Sequence, residues 1–164
     1  MSLQAVRDHL RPFGKADQIL EFEESSATVS LAAEKVGTDP ERIAKTLAFY
    51  DPEDASRAIL IVAAGDARLH NGSFKRAFGG KPKMLSAGDV EPLTGHPVGG
   101  VCPFANPAGT RIYLDESLKR FETVYPAAGS ASSAVPMNVA EFEEISGAVG
   151  WVAVTNGWAP EQTE

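Results

Sequence analysis

A seven-residue apolar run at positions 58–64, Ala-Ile-Leu-Ile-Val-Ala-Ala, is the feature that most limits what this chain can fold into. A run of this length, rich in β-branched residues, is typical of a buried strand and is far too short to cross a membrane. Residues 46–50 form a second strand candidate, and the Asp-Pro-Glu-Asp sequence at 51–54 between the two is typical of a turn. We therefore predict a hairpin with a long loop.

Short helices and short strands alternate through the rest of the chain. The patterns predict helices over 2–12, 28–36, 71–78, 86–93, 115–120 and 138–146, a brief helix start at 38–41, and strands over 18–22, 82–85, 111–114, 123–126 and 151–154. Ser2, Thr28, Asn71, Ser86 and Asn138 stand where N-caps are expected. The regular long crossover helices of a parallel sheet are missing, so we predict an α+β fold with a mixed sheet and helices packed around it.

Length and composition indicate one ordinary globular domain covering residues 1–164. The single cysteine, Cys102, excludes an intrachain disulfide, and together with the lack of a signal peptide or a long apolar stretch it predicts a soluble, cytoplasmic protein with no membrane partner. The net charge of −7 argues against a general nucleic-acid or DNA binder, and acidic residues dominate the tail, including Glu161 and Glu164.

A local group of basic residues departs from this acidic average. Positions 67–83 contain no acidic residue, and they carry five cations: Arg68, Lys75, Arg76, Lys81 and Lys83. Such a group is either a solvated helix face with its loop or a surface that holds a few phosphates. Charge alone leaves both interpretations open.

The segment Gly95-His-Pro-Val-Gly-Gly-Val is the most unusual loop in the chain. Glycines at 99 and 100 free the backbone to adopt positive φ, and successive N–H groups in such a turn can converge on an anion or a developing oxyanion. The loop is neither a Walker A motif nor GxGxxG. It is therefore either a tight turn between strands or a backbone binding site.

Three further features carry possible chemistry. Lys45 lies where a helix becomes an apolar strand, so its ammonium either reaches solvent or meets an anion. Cys102 lies six residues after His96 and could form a nucleophilic pair with it, although a lone cysteine is more often a small buried thiol. The three histidines lack metal-binding spacing, so we expect no metal and no cofactor. The serine-rich segment after Gly129 contains no GxSxG, and it either lines a pocket or forms a loop.

The order of these features resembles the YbaK/ProX family, the prolyl-tRNA-synthetase-associated editing domains. The resemblance covers about residues 20–154 and depends on Thr28 at a helix start, Lys45-Thr-Leu at a strand start, the Gly95–Phe104 segment, and Tyr-Pro-Ala-Ala-Gly at 125–129. It implies a compact α+β domain with a mixed, strongly curved sheet. It also implies hydrolysis of the ester that joins a wrong amino acid to tRNA.

The resemblance assigns roles to individual positions. Lys45 corresponds to the family's key lysine, which positions the aminoacyl end of the tRNA, and Gly99 and Gly100 match the loop whose amides hold the aminoacyl carbonyl. Substrate-binding positions are Thr28, Thr46, His96, Gly129 and Ser130. The basic residues between Arg68 and Lys83 become candidates for contact with the acceptor stem. The implied partners are the acceptor end of an aminoacyl-tRNA and an aminoacyl-tRNA synthetase.

One departure from the family pattern bears on the substrate. Members that remove cysteine from tRNA commonly carry Gly-Lys/Arg-Gly followed by an aspartate, whereas this chain has Gly-Ser-Ala-Ser-Ser-Ala at 129–134. This argues against cysteine and favours alanine, serine, threonine or another small residue, on a tRNA that the sequence does not identify. Two other hypotheses remain: a non-catalytic module that binds aminoacyl-tRNA or a synthetase, and a hydrolase that uses Cys102 and His96.

Overall fold

The computed structural model describes residues 2–158, and it contains a mixed, strongly curved six-stranded half-barrel sheet with helices around it. The strands of this sheet are β2 (Ile43–Asp51), β3 (Asp54–Ala64), β5 (Arg111–Asp115), β6 (Thr123–Pro126), β8 (Met137–Asn138) and β9 (Gly150–Val152). Their order across the sheet is β8-β6-β2-β3-β5-β9. Parallel and antiparallel neighbours both occur, as predicted for a mixed sheet.

Four two-residue strands form two small additional pairs. These are β1 (Leu20–Glu21) with β7 (Ser133–Ala134), and β4 (Arg68–Leu69) with β10 (Thr155–Asn156). The predicted strand over 82–85 is wrong, because this segment makes only an isolated bridge from Met84 to Phe49. Of these four strands, only β1 was predicted, within the strand candidate at 18–22. Strands as short as β4, β7 and β10 carry no periodicity that a sequence pattern could reveal.

The central hairpin contains the apolar run that dominates the sequence. Strands β2 and β3 pair in antiparallel register, with Lys45 opposite Ala63, and every side chain from Ala58 to Ala64 is fully buried. The predicted long loop is wrong: both strands extend further than their apolar cores, and only Pro52 and Glu53 separate them. Polar residues lengthen the strands because the backbone ladder does not depend on side-chain hydrophobicity.

Five α-helices pack around the sheet within residues 2–158. They are α1 (Ser2–Leu10), α2 (Val29–Val36), α3 (Asn71–Phe78), α4 (Ala87–Thr94) and α5 (Val139–Ser146). None of them is long and apolar enough to cross a bilayer. Two shorter predicted helices are single 3₁₀ segments, Pro40–Arg42 and Glu116–Arg120.

The helix caps explain where most of these helices begin. Thr28 accepts from the Leu31 N–H at the start of α2, and Asn138 and Glu141 form a reciprocal capping box at the start of α5. The predicted Asn71 cap is wrong, because His70 Nδ1 accepts the Ser73 N–H and Asn71 is already helical. Ser86 occupies the cap position of α4 without a capping hydrogen bond from its side chain.

Candidate active site

A cavity of about 230 Å³ lies where the start of β2 meets the start of α2 and two loops. Part of its wall is formed by the first residues of β2, an inner strand of the sheet. Strand β2 pairs with β6 only at Ile43 and Ala44, and further along β2 the Ala48 carbonyl accepts from the Leu85 N–H. Within residues 2–158, Thr46 therefore has β3 on one side and no paired strand on the side of β2 that faces away from β3. The cavity occupies this opening.

Small side chains make up most of the cavity wall. The lining residues are Ser26, Ala27, Thr28, Val29, Ala32, Ile43, Ala44, Lys45, Thr46, Gly99, Val101, Tyr125, Ala127, Ser133 and Ala134. Four predicted site residues are among them: Thr28, Lys45, Thr46 and Gly99. A space enclosed mainly by alanine, serine and glycine accepts a compact ligand group.

Lys45 is held at the cavity wall by backbone carbonyls. Its Nζ donates to the Gly65 carbonyl at 3.3 Å and to the Ala67 carbonyl, both in the turn after β3. Because an ammonium has three N–H bonds, one remains for a ligand. Burial lowers the pKa of Lys45, and Arg68 lowers it further, whereas Asp66 and Asp115 act in the opposite direction. The ammonium is thus partly desolvated, which strengthens its interaction with any anionic or carbonyl oxygen.

The glycine loop forms a second part of the cavity wall, through Gly99 and Val101. Gly99 has φ = +89°, and a Cβ at this position would lie 3.2 Å from the Cβ atoms of Ala27 and Ala131. No acceptor within residues 2–158 takes the Gly99 N–H, whereas the Gly100 N–H donates to the Pro97 carbonyl at 2.9 Å. Of the two amides predicted to hold a carbonyl, only that of Gly99 is free in this conformation; that of Gly100 closes the turn.

Gly100, Gly129 and Ser130 lie behind this wall and outside the cavity. A Cβ on Gly100 would approach Ser130 Cα to 2.7 Å, and a Cβ on Gly129, whose φ is +99°, would lie 2.9 Å from the Ser2 carbonyl. Gly129 and Ser130 line a separate groove together with Ser2 and Leu3. These positions let two backbone segments pack closely, and this contact supports the cavity wall.

His96 is fully buried beneath the loop rather than in the cavity. Its Nδ1 is 2.5 Å from Ser2 Oγ and its Nε2 is 2.6 Å from the Phe104 carbonyl. Burial lowers the pKa of His96, which favours the neutral ring. In this conformation both ring nitrogens are engaged, so His96 connects α1 to the two ends of the loop.

Cys102 is fully buried next to His96, with Sγ 3.5 Å from Nε2. Burial raises the pKa of this thiol to about 12, despite a hydrogen bond with the Phe104 backbone that acts to lower it. A thiolate is the nucleophilic form of cysteine, so the geometry disfavours the hypothesis of a Cys102–His96 hydrolase.

The five basic candidates do not converge on the cavity. Arg68 is close enough to Lys45 to affect its pKa. Lys75 and Lys81 line a separate depression, and Lys83 lies over the Tyr50 ring at 5.5 Å. Tyr50 is five residues along β2 from Lys45, roughly 17 Å at the usual strand rise. Their role as tRNA contacts remains a prediction, and so does that of Arg76.

Several site components gave no signal in the sequence. The carbonyls of Gly65 and Ala67 hold Lys45, and a main-chain acceptor is present at every position regardless of residue type.

Across the described part of the chain, no cluster of three or more potential metal ligands occurs.

The fold and this cavity agree with a comparison of the chain with known protein families. Residues 23–145 match the model of the aminoacyl-tRNA editing domain, which is most of the chain, and the protein belongs to that family. It is 46% identical over 158 residues to the uncharacterized protein YwhH of Bacillus subtilis (strain 168), a match that covers 96% of this chain and 99% of YwhH.

Solved structures give the same assignment. The crystal structure of a protein proposed as a trans-editing enzyme for prolyl tRNA synthetase superposes with a TM-score of 0.84 and 28% identity, covering 95% of this chain and 98% of the other. The hypothetical protein APE2540 gives a TM-score of 0.80 and 29% identity, covering 93% of this chain and 99% of the other. The resemblance inferred from the sequence, and the fold it implied, are confirmed.

Proposed function

We propose that this protein is a trans-editing deacylase that hydrolyses the ester between a small amino acid and a tRNA. The observation that carries the proposal is that one small cavity is lined both by Lys45, whose ammonium is restrained, and by Gly99, whose N–H is free within residues 2–158. The family concerns aminoacyl-tRNA editing, and a structural relative is proposed to edit in trans for prolyl tRNA synthetase. The matches to YwhH and to this structural relative span nearly the whole of both chains in each case.

The chemistry requires little more than orientation and a polarised carbonyl. An aminoacyl ester is activated relative to an amide, so water is a sufficient nucleophile when the carbonyl is held and polarised. In the proposed mechanism the Gly99 N–H donates to the carbonyl oxygen as negative charge develops on it. The remaining N–H of Lys45 anchors the terminal ribose or phosphate of the acceptor end.

The cavity wall also supports a small amino acid as the substrate. Alanines at 27, 32, 44, 127 and 134 surround the space, and Ser26 and Ser133 add hydroxyls. The 129–134 segment lacks the basic residue and aspartate expected for cysteine removal. One methylene more or less on the amino acid side chain changes its binding free energy by only about 1–3 kcal/mol. A much bulkier side chain would be excluded by steric overlap with these walls.

Deacylation of a panel of charged tRNAs tests this proposal. We expect the wild-type protein to release alanine, serine or threonine from tRNA faster than cysteine, and Lys45→Ala to lose about two orders of magnitude of activity because the anchor is removed. Arg11→Ala is the control, since Arg11 follows α1, makes an exposed pair with Asp8 and does not line the cavity.

Two results would contradict the proposal. If Lys45→Ala keeps full activity, Lys45 has no role in the reaction. If no charged tRNA is hydrolysed although the protein binds aminoacyl-tRNA, the chain is instead a binding module that recognises the same acceptor end.

A further inference from the structure

The turn that holds Lys45 is itself fixed by a second segment of the chain. The two carbonyls that accept from Lys45 Nζ belong to Gly65 and Ala67, and Asp66 lies between them. The carboxylate of Asp66 points to Arg120, with Nη2 to Oδ1 at 2.6 Å and Nη1 to Oδ2 at 3.0 Å. This is a two-point contact, which fixes direction as well as distance.

Several contacts besides Asp66 restrain the guanidinium of Arg120. Its Nε donates to the Ser117 carbonyl at 2.9 Å, and its Cζ lies 4.6 Å from the Phe121 ring centroid and 4.9 Å from that of Trp158. The Ser117 hydroxyl also accepts the Ala64 N–H at 3.0 Å. The Glu116–Arg120 helix therefore holds the turn after β3 at its beginning, through Ala64, and at its middle, through Asp66.

The stability of such a pair does not explain this arrangement. Both side chains are partly exposed, and partly exposed ion pairs contribute little to folding. The pair matters more for the position of the 65–67 turn than for folding stability, because the two carbonyls flanking Asp66 are the acceptors that orient the Lys45 ammonium. A rotation of this turn would redirect the remaining Lys45 N–H away from the cavity.

We infer that Arg120 and Asp66 are positioning residues for Lys45, acting through the backbone of the 65–67 turn. This inference rests on the proposed function, in which Lys45 anchors the substrate. Asp66 has a second effect through its charge. The Arg120 hydrogen bonds hold the pKa of Asp66 below its usual range, so the carboxylate stays ionised and opposes the loss of charge that burial favours at Lys45.

The test is a double-mutant cycle on deacylation of the tRNA that the wild-type protein hydrolyses fastest. Arg120→Ala should lower kcat/KM by about 10- to 100-fold, because a displacement of about 1 Å in a group that positions the substrate can cost about 100-fold. Arg120→Lys should recover only part of this loss, since an ammonium cannot make the two-point contact. In a Lys45→Ala background, Arg120→Ala should cause no further loss, because its effect passes through Lys45.

A pH profile separates positioning from general destabilisation. The charged groups that act on Lys45 are Asp66, Asp115 and Arg68. Asp66→Asn removes one of the two carboxylates that favour the ammonium, so the alkaline decline of activity should move to lower pH, after subtraction of the uncatalysed ester hydrolysis. Arg11→Ala, which breaks an exposed pair with Asp8, should leave the profile unchanged.

The outcomes are distinguishable. Losses that multiply in the double variant, or a fully active Arg120→Ala, would overturn the inference while leaving the proposed function intact. Full activity of Lys45→Ala would overturn both. If Arg120→Ala does not fold, as judged by circular dichroism, Arg120→Lys and Asp66→Asn carry the test, and an unshifted pH profile in Asp66→Asn overturns the inference.

Discussion

The two walls of the cavity are built in different ways. On one wall, Lys45 is a charged side chain held by the carbonyls of Gly65 and Ala67 and, behind them, by the Asp66–Arg120 pair. On the other wall, the glycine loop offers backbone alone and is held by the close packing of Gly100 on Ser130. One wall depends on electrostatic restraint of a flexible group, and the other depends on the absence of side chains.

This difference predicts how each wall fails. A flexible lysine tolerates small shifts if its acceptors stay in place, so the lysine wall should be sensitive to whatever moves the 65–67 turn. The glycine wall has no adjustable side chain, so a single added methyl group should change its shape directly.

Gly65→Ala should have the largest effect on the stability of the protein, and it should also abolish activity. A Cβ at this position would lie 2.0 Å from the Pro40 carbonyl oxygen and 2.7 Å from Val29 Cγ1, so the turn must move. We expect a loss of at least about 3 kcal/mol in the free energy of unfolding, measured by urea denaturation, together with loss of deacylation.

Gly88→Ala is the matched control for this substitution. Gly88 lies in α4 with open space at its Cβ position, so alanine should stabilise the protein by about 0.5–1 kcal/mol through helix propensity. A Gly65→Ala variant as stable and active as the wild type would show that the turn is not tightly held.

The sequence predicted the two walls to different extents. Lys45 and the glycines at 99 and 100 were identified from residue type and from the resemblance, since each has chemistry that only a few residue types provide. The sequence placed Lys45 at a helix–strand junction. In the structure it is the third residue of β2, three residues after the short Pro40–Arg42 helix, and it pairs with Ala63. Its carbonyl acceptors could not be predicted, because they depend on the path of the chain and not on side chains.

The fold was likewise predictable where residue type determines local structure, and not where the path of the main chain does. The buried run in β3, the capped helices α2 and α5, and the mixed character of the sheet follow from periodicity and capping residues. The two-residue strands β4, β7 and β10 and the short β2–β3 turn depend on which backbone segments pair with each other. Local patterns cannot encode such pairing.

Gly99→Ala should have an intermediate effect and should separate activity from stability. The positive φ of Gly99 costs an alanine about 1–2 kcal/mol, and the new methyl group would lie between Ala27 and Ala131 at the cavity wall. We expect a moderate decrease in the free energy of unfolding but a large decrease in kcat/KM, because the amide that polarises the carbonyl moves.

Gly37→Ala calibrates the backbone contribution. Gly37 has φ = +83° at the end of α2 with no atom within 4 Å of its Cβ position, so it carries the same kind of backbone strain without a steric contact. Equal losses of stability in the two variants, with activity lost only in Gly99→Ala, would assign the functional effect to the wall. Equal activity in both would contradict a role for the Gly99 amide.

Cys102→Ala should have the smallest effect on activity, and it tests whether the thiol beneath the glycine wall takes part in the reaction. Because burial raises the pKa of Cys102 to about 12, the thiol stays protonated at pH 8, so deacylation should persist in the alanine variant. Iodoacetamide at pH 8 should label the wild-type protein slowly when it is folded and rapidly in denaturant, as measured by intact mass. Rapid labelling of the folded protein, or loss of hydrolysis in Cys102→Ala with its fold retained, would mean that the loop opens and exposes a reactive thiol. The glycine wall would then contribute a side chain to the chemistry, and the contrast between the two walls would no longer hold.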